Sequence, residues 1–433
     1  MRISRLPSLL PSPDVSRTAR TEMRGRWMMR IVPALLASAA LASSSASADA
    51  QTPRAAASHR PNASRPTDAR PATATLWSVR MAESVMRRNP VVHPDWDYTA
   101  GVVLQGIWNV GQKTGNPRFA AYVRTNMERV VTPDGRIPTY DSTALSLDEI
   151  AQGKLLLPLW QATHDERWRS AAMLLRAQLR RHPRTAEGGF WHKKTYPEQM
   201  WLDGLYMGGP FYAQFGQVFR EPADFDDVAK QALLMTRHTR DPRTGLLYHG
   251  WDAAHAQPWA DTTTGLSPSF WGRAVGWYAM ALVDILDYLP ASHPDRQELV
   301  RALRDVSAAV TRVQDPVTGL WWQVLDQPNR RGNYLEASAS SMFVYALAKG
   351  AHKGYLAPEY LDVARRGYDG IVRNLVTVDA DGLVSLNGVC QVAGLGGRQN
   401  RSGTYAYYVS EPVVANDYKG VGPFILASVE LGR

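Results

Sequence analysis

DPRTGLLYHGWD, residues 241–252, and FWGRAVGWYAMALVDIL, residues 270–286, decide how this chain is read. In the first, Pro242 and Gly245 supply turn chemistry between polar and aromatic arms. In the second, Phe270, Trp271, Ala274, Trp277, Tyr278, Ala281, Leu282 and Ile285 recur at helical spacing, and Pro290 marks the end. The turn returns in PDGRIPTYD (133–141), EGGFWHK (187–193), DPVTGLWWQVLD (315–326) and DADGLVSLNGV (379–389). Its glycines, Gly135, Gly188, Gly245, Gly319 and Gly382, lie 53, 57, 74 and 63 residues apart. Residues 168–180 and the run ASSMFVYALAK (339–349) repeat the pattern of a buried or half-buried helix. A unit of about 60 residues, two helices and a connecting hairpin, fits roughly six times into residues 73–433. Six helix pairs closing on themselves make an all-α (α/α)6 barrel with short β-hairpin turns. An irregular all-α protein shares the periodicity, which by itself does not separate the two.

The chain has 433 residues, 45% hydrophobic and 21% charged, ordinary values for a globular protein with a large core. Its net charge of +9 is unevenly placed. Residues 1–48 hold seven Arg against Asp14 and Glu22, and residues 49–72 hold four against Asp49 and Asp68, so the remainder is close to neutral. The basic balance therefore does not point to nucleic acid as a partner. Arg24, Arg26 and Arg30 precede a short apolar run, Ile31 to Leu41, and Ala46-Ser47-Ala48 offers a cleavage site. Residues 1–48 thus read as a signal peptide, with Met23 or Met28 as alternative starts, and the protein as exported, periplasmic or secreted. The apolar run is too short to span a bilayer, so no membrane span is expected in the mature form. Residues 49–72, rich in Pro, Ala, Ser and Arg, read as a disordered linker, and 73–433 as the barrel domain. Cys390 is the only cysteine, which excludes an internal disulfide and a multi-cysteine metal site. No metal or other cofactor is expected, and oligomeric state is not legible.

Loops entering the inner helices of such a barrel form one concave face, where residues for chemistry should meet. WLDGLYMGGPF, residues 201–211, sets Asp203 among Trp201, Leu202, Met207 and Phe211. Apolar neighbours raise a carboxyl pKa toward the range of a proton donor, whereas a position at a helix start lowers it. Ser146-Leu147-Asp148-Glu149 has the form of a capping box, which places Asp148 in a first helical turn where the ionised form is favoured. Trp191-His192, YHGWD (248–252) and Trp271-Gly272-Arg273 through Trp277-Tyr278 complete the candidates. Aromatic faces pack on the C–H faces of pyranose rings, and a buried Arg suits an anionic sugar such as a uronate. Trp321 and Trp322 read instead as core. Neither His192 nor His249 sits at a metal-ligand spacing. GLGGRQNRSGTYAYY, from Gly394, reads as a flexible loop able to shape the pocket through Arg398 or Tyr405.

The stretch 248–286, with MWLDGLYMGGPF (200–211), TGLWWQVLD (318–326), NYLEASASSMFVYALAKG (333–350) and NDYKGVGPFILASVE (416–430), resembles the unsaturated rhamnogalacturonyl hydrolases, glycoside hydrolase family 105. The resemblance covers essentially residues 76–430 and implies an (α/α)6 barrel. It implies removal of a terminal 4,5-unsaturated galacturonic acid from rhamnogalacturonan oligosaccharides left by polysaccharide lyases, by hydration of the C4–C5 double bond. The sister family acting on unsaturated glucuronyl groups usually carries RGQ-W near the equivalent of Arg273; here the stretch is RAVGWY. By the same resemblance Asp203 is the acid and then the base, and Asp148 the second carboxylate. His192, Trp201, Met207, His249, Arg273 and Trp277 line the substrate pocket. An unsaturated glucuronyl hydrolase, a polysaccharide lyase, a sugar epimerase or a non-catalytic sugar-binding protein on a related barrel are the competing readings.

Overall fold

The five turn glycines all take positive φ, from 73° at Gly245 to 89° at Gly188, in the computed structural model, which describes residues 76–433. A side chain is strained there, which is why glycine marks each turn. The turn itself is stereotyped. Asp241 and Asp315 each accept a hydrogen bond from the backbone N–H of the Thr three residues on, at 3.0 and 2.7 Å. DTTTGL, residues 261–266, is a further copy that the spacing argument missed, with Thr264 N–H bonded to Asp261 at 2.8 Å. The predicted leader over 1–48 and linker over 49–72 lie outside the described residues.

Thirteen helices follow among the described residues: α1 (Trp77–Arg88), α2 (Tyr98–Thr114), α3 (Pro117–Val130), α4 (Leu156–Thr163), α5 (Glu166–Arg181), α6 (Leu202–Phe219), α7 (Pro222–Thr239), α8 (Gly272–Tyr288), α9 (Arg296–Arg312), α10 (Ala337–His352), α11 (Tyr360–Asn374), α12 (Tyr405–Ser410) and α13 (Tyr418–Glu430). A 3-10 helix, Asp148–Leu155, leads into α4. The inner ring runs α2, the 3-10 helix with α4, α6, α8, α10 and α13, and α13 packs back on α2. Outside it, α3, α5, α7, α9 and α11 each pack on the inner helix that precedes them in the chain, and α1 packs on α13. The last pair is thus built from the two ends of the fold, and Ser78 N–H and Oγ both donate to the Arg433 carbonyl. The chain is an (α/α)6 barrel.

The two rings differ in composition for a physical reason. Every residue of α10 from Ala337 to Gly350 is buried, as is every residue of α8 from Gly272 to Val283, and helices buried all round are mostly apolar or small, with Lys349 and Arg273 as exceptions paired to carboxylates. Outer helices bury one stripe: α11 buries only Ala364, Gly367, Tyr368, Gly370 and Ile371. Inner helices approach closely, since a Cβ on Gly422 of α13 would stand 2.7 Å from the Val102 carbonyl of α2. Trp321 is core as expected, fully buried with Nε1 donating to Val310, whereas Trp322 is half-buried.

Two sequence readings need correction here. The capping box at 146–149 does not form: no side chain caps the segment, and Ser146 instead pairs with Lys193 in a bridge between two turns. The hairpins are shorter than their name suggests. Six short strands, β1 (Gln199–Trp201), β2 (Gly250–Asp252), β3 (Val376–Val378), β4 (Val384–Leu386), β5 (Val389–Cys390) and β6 (Val413–Val414), form three antiparallel pairs, of which only β3–β4 spans a predicted turn. Among the described residues no helix is long and apolar enough to cross a membrane.

Candidate active site

The turns bond to one another around the mouth of the barrel, and this sets the site. Leu147 N–H donates to the His192 carbonyl, His192 N–H to Gln199, and Leu202 N–H to His249. β1 and β2 pair with Trp201 opposite Gly250. Farther round, Gly272 N–H donates to Gln323 and Ala337 N–H to Gly388. As a result α2, the 3-10 helix, α6, α8 and α13 each place a residue of their first turn on one cavity of about 300 Å³. Tyr98 opens α2, Asp148 opens the 3-10 helix, Asp203 is second in α6, Arg273 second in α8 and Lys419 second in α13. Met207 and Trp277 follow Asp203 and Arg273 one turn later, on the same helix face. All eight residues expected from the sequence line this cavity except His249, which sits fully buried behind Asp203.

Asp148 and Asp203 occupy different electrostatic settings. Burial alone would push the Asp148 pKa up, but Lys193 Nζ at 2.6 Å, with His192 adding to it, holds it below the usual carboxylate value. The expected direction is correct, and its main cause is an ion pair rather than the helix start. His192 lies 3.4 Å from Asp148, yet burial brings its pKa down to about 4, so the contact is not an ion pair near neutrality. Asp203 faces no cation at contact distance: its Oδ2 stands 3.1 Å from His249 Nε2, out of hydrogen-bond alignment, and neither atom has another partner.

Aromatic rings form the walls. His192 stacks on Trp201 at 4.4 Å between centroids, and Tyr196 stacks on Trp201 at 4.9 Å. Trp277 is held by stacking on Tyr206 at 4.6 Å. Arg273 is almost wholly buried: Nε donates to Ser338 at 2.8 Å, Nη2 donates to the Cys390 carbonyl, and Glu336 lies 3.5 Å away. No hydrogen bond within the described residues takes its Nη1, which leaves one edge for the cavity it lines. Among the described residues no three His, Cys, Asp or Glu side chains converge as metal ligands.

Sequence reasoning missed Tyr98, Lys193, Arg401 and Lys419 as lining residues. A signal existed for two of them: Asp97 and Asp417 cap α2 and α13, and Tyr98 and Lys419 fall just inside those caps. The 394–410 segment does shape the cavity, though not through the residues expected. Arg401 lines it, while Arg398 is exposed and the Tyr405 hydroxyl donates outward to the Arg330 and Arg331 carbonyls. Buried Leu395 and Tyr408 anchor the segment.

A model of Glycosyl Hydrolase Family 88 matches residues 77–433. A curated relative, "Protein Atu3128" of Agrobacterium fabrum, is 40% identical over 230 residues, 52% of this chain and 97% of the relative. "Unsaturated rhamnogalacturonyl hydrolase YesR" of Bacillus subtilis is 31% identical over 296 residues, 67% of this chain and 78% of that protein. A solved family 105 glycoside hydrolase from C. acetobutylicum superposes with a TM-score of 0.81 at 44% identity, covering 83% of this chain and 99% of that one. The match runs through every inner helix whose first turn faces the cavity, and the chain belongs to the family 88/105 glycosyl hydrolases.

Proposed function

We propose that the protein removes a terminal 4,5-unsaturated galacturonic acid from rhamnogalacturonan oligosaccharides, with Asp203 as acid then base and Asp148 as the second carboxylate. The observation that carries this reading is the asymmetry of the two carboxylates in one aromatic-walled cavity. Asp148 is paired with Lys193, while Asp203 faces no cation at contact distance. Two carboxyls in unlike environments hold unlike roles. Asp203, protonated, gives its proton to C4 of the vinyl ether. Water adds at C5 and returns a proton to Asp203, so the carboxyl ends as it began. The C5 hemiketal opens to a ketone, and the hemiacetal left at C1 expels the neighbouring sugar. No covalent enzyme intermediate is required, unlike the two-carboxylate displacement at an anomeric carbon.

Binding fits an anionic ring. The positive ends of the inner helices surround the cavity, and Lys419, Arg401 and the free edge of Arg273 line it. Trp201 and Trp277 border the cavity as apolar edges against which a pyranose can pack. The galacturonyl-rhamnose preference is supported by the similarity to the Bacillus subtilis protein of that name. Export from the cytoplasm, on the strength of residues 1–48, belongs to the same proposal.

The test follows ultraviolet absorbance of the conjugated C4–C5 double bond in an unsaturated galacturonyl-rhamnose disaccharide. Loss of the signal with release of rhamnose is the expected result. Loss only with an unsaturated glucuronyl disaccharide would keep the hydration and change the substrate. A rise in absorbance on intact polysaccharide would identify a lyase, and silence on all three would sink the reading.

A further inference from the structure

The hydroxyl of Tyr408, on α12, stands 2.7 Å from His249 Nδ1, and the other nitrogen of that ring faces Asp203. Tyr408 and His249 are both fully buried. Among the described residues the Tyr408 hydroxyl has no other hydrogen-bond partner. A buried hydroxyl that fails to donate costs about 1–3 kcal/mol, so its hydrogen goes to Nδ1. Burial, then the nearby Tyr407 and Asp203, push the phenol pKa well above its ordinary value and keep it a donor. A neutral imidazole carries one N–H, and with Nδ1 accepting, that N–H is Nε2. Rotation is restrained: Trp271 stacks on Tyr408 at 5.5 Å and lies 4.8 Å from His249, while Trp201 meets His249 edge-on at 5.4 Å.

We infer that Tyr408 is a positioning residue that fixes the Nε2–H tautomer of His249 and so keeps a donor, never an acceptor, against Asp203. The consequence bears on where the acid proton points. With an acceptor at Nε2, protonated Asp203 would hydrogen-bond to the histidine and hold its proton away from the sugar. With an N–H there, the acid proton is left on the cavity side, and the carboxylate formed after transfer is stabilised by the positive end of that N–H 3.1 Å away, without an aligned hydrogen bond. The 394–410 segment thereby becomes part of the proton chemistry, although it brings no group of its own to the reacting atoms. Other titratable and charged groups near this relay are His192, Lys193 and Asp148 beyond Asp203, Tyr407 and Cys390 behind Tyr408, and Arg273, Arg401 and Lys419 around the cavity.

This inference rests on Asp203 being the acid, and its test is arranged to fail separately from that reading. In the ¹⁵N-histidine spectrum of the full-length protein near neutrality, with His249 assigned by its loss in His249→Gln, the ring should be the Nε2–H tautomer. An Nδ1–H tautomer or an imidazolium overturns the inference whether or not any substrate is turned over. In Tyr408→Phe, kcat should fall about tenfold or more, with KM little changed. Its alkaline pH limb should move up by about half a unit or more, because the carboxylate no longer faces an N–H. A merely structural role would lower the melting temperature and leave the limb in place, which also overturns the inference. Should Tyr408→Phe not fold, the tautomer of the unmodified protein decides.

Discussion

At the mouth of the barrel Asp203 Oδ2 has no hydrogen-bond partner; at the far end, Lys349 Nζ sits 2.6 Å from both Asp284 and Asp287. Both regions lie inside the same ring of helices, and both combine buried carboxylates, lysines and aromatic rings. The far cavity, of about 130 Å³, is lined by the middle and later turns of the inner helices. There Tyr345 also donates to Asp284 at 2.8 Å, and two carboxylates and a lysine close on one another. At the mouth the closure is deliberate for one carboxylate and withheld from the other: Lys193 pairs with Asp148, and only a histidine stands near Asp203. At the far end Lys349, Asp284 and Asp287 compensate one another as a strut, while Lys154 on the same cavity is left without a hydrogen-bond partner. What sets the mouth apart is that its unpaired carboxylate, Asp203, borders the aromatic-walled cavity.

The contrast can be broken by mutation, beginning where the effect should be greatest. Asp203→Asn should lower turnover of the unsaturated disaccharide by at least about a thousandfold, with its urea midpoint unchanged; an active variant would remove Asp203 from the mechanism. Lys349→Met should do the reverse. Leaving Asp284 and Asp287 poorly compensated should cost about 3–5 kcal/mol in urea unfolding, while kcat per folded molecule stays at the parent value. Asp148→Asn should reduce kcat on the order of a hundredfold. It should also remove a stabilising ionisation: with a depressed folded pKa, Asp148 adds stability above its unfolded value, lost as pH falls through the folded one.

The smallest effect concerns Lys154, whose Nζ is buried without a hydrogen-bond partner over the Tyr206 ring. Burial brings its pKa down to about 7 from 10.5. A lowered folded pKa means that charging the lysine opposes folding, so stability should rise between about pH 7 and 10.5 and be lowest below 7. Lys154→Met should flatten that rise and stabilise the protein at pH 6 by about 2 kcal/mol, less than the full shift because the interior relaxes around charge. Thermal melts at pH 6 and 9 measure it, and a Met variant with the parent's pH dependence would show that Lys154 is not the source.

The rings of the barrel were legible because burial writes directly into composition. Gly245 and Gly319 mark turns that need positive φ, and the run from Gly272 to Val283 is apolar or small because α8 is covered on all sides, with Arg273 as the polar exception. Asp148 and Asp203 were legible because polar groups at the starts of apolar helices stand out. Lys193 was not, although it adjoins His192, because its role is set by the bridge between Ser146 and Lys193, a pairing of turns 47 residues apart that no local pattern announces. The direction of the Asp148 shift was read correctly from a capping box that does not form, so the right answer came from the wrong cause.

Local order, then, was determined by the sequence: where helices begin, which are covered on every side, and that about six pairs fill the chain. Those follow from short-range sterics and from the periodicity of apolar residues, both carried by neighbours along the backbone. Only the tertiary structure decided which groups touch. Arg273 meets Glu336 and the Cys390 carbonyl, and His249 meets Tyr408 across 159 residues, because closing the ring brings separate units together. Whether a buried charge is matched or left open is a property of that closure, since electrostatic contacts of a few ångströms depend on partners that the chain supplies from far away.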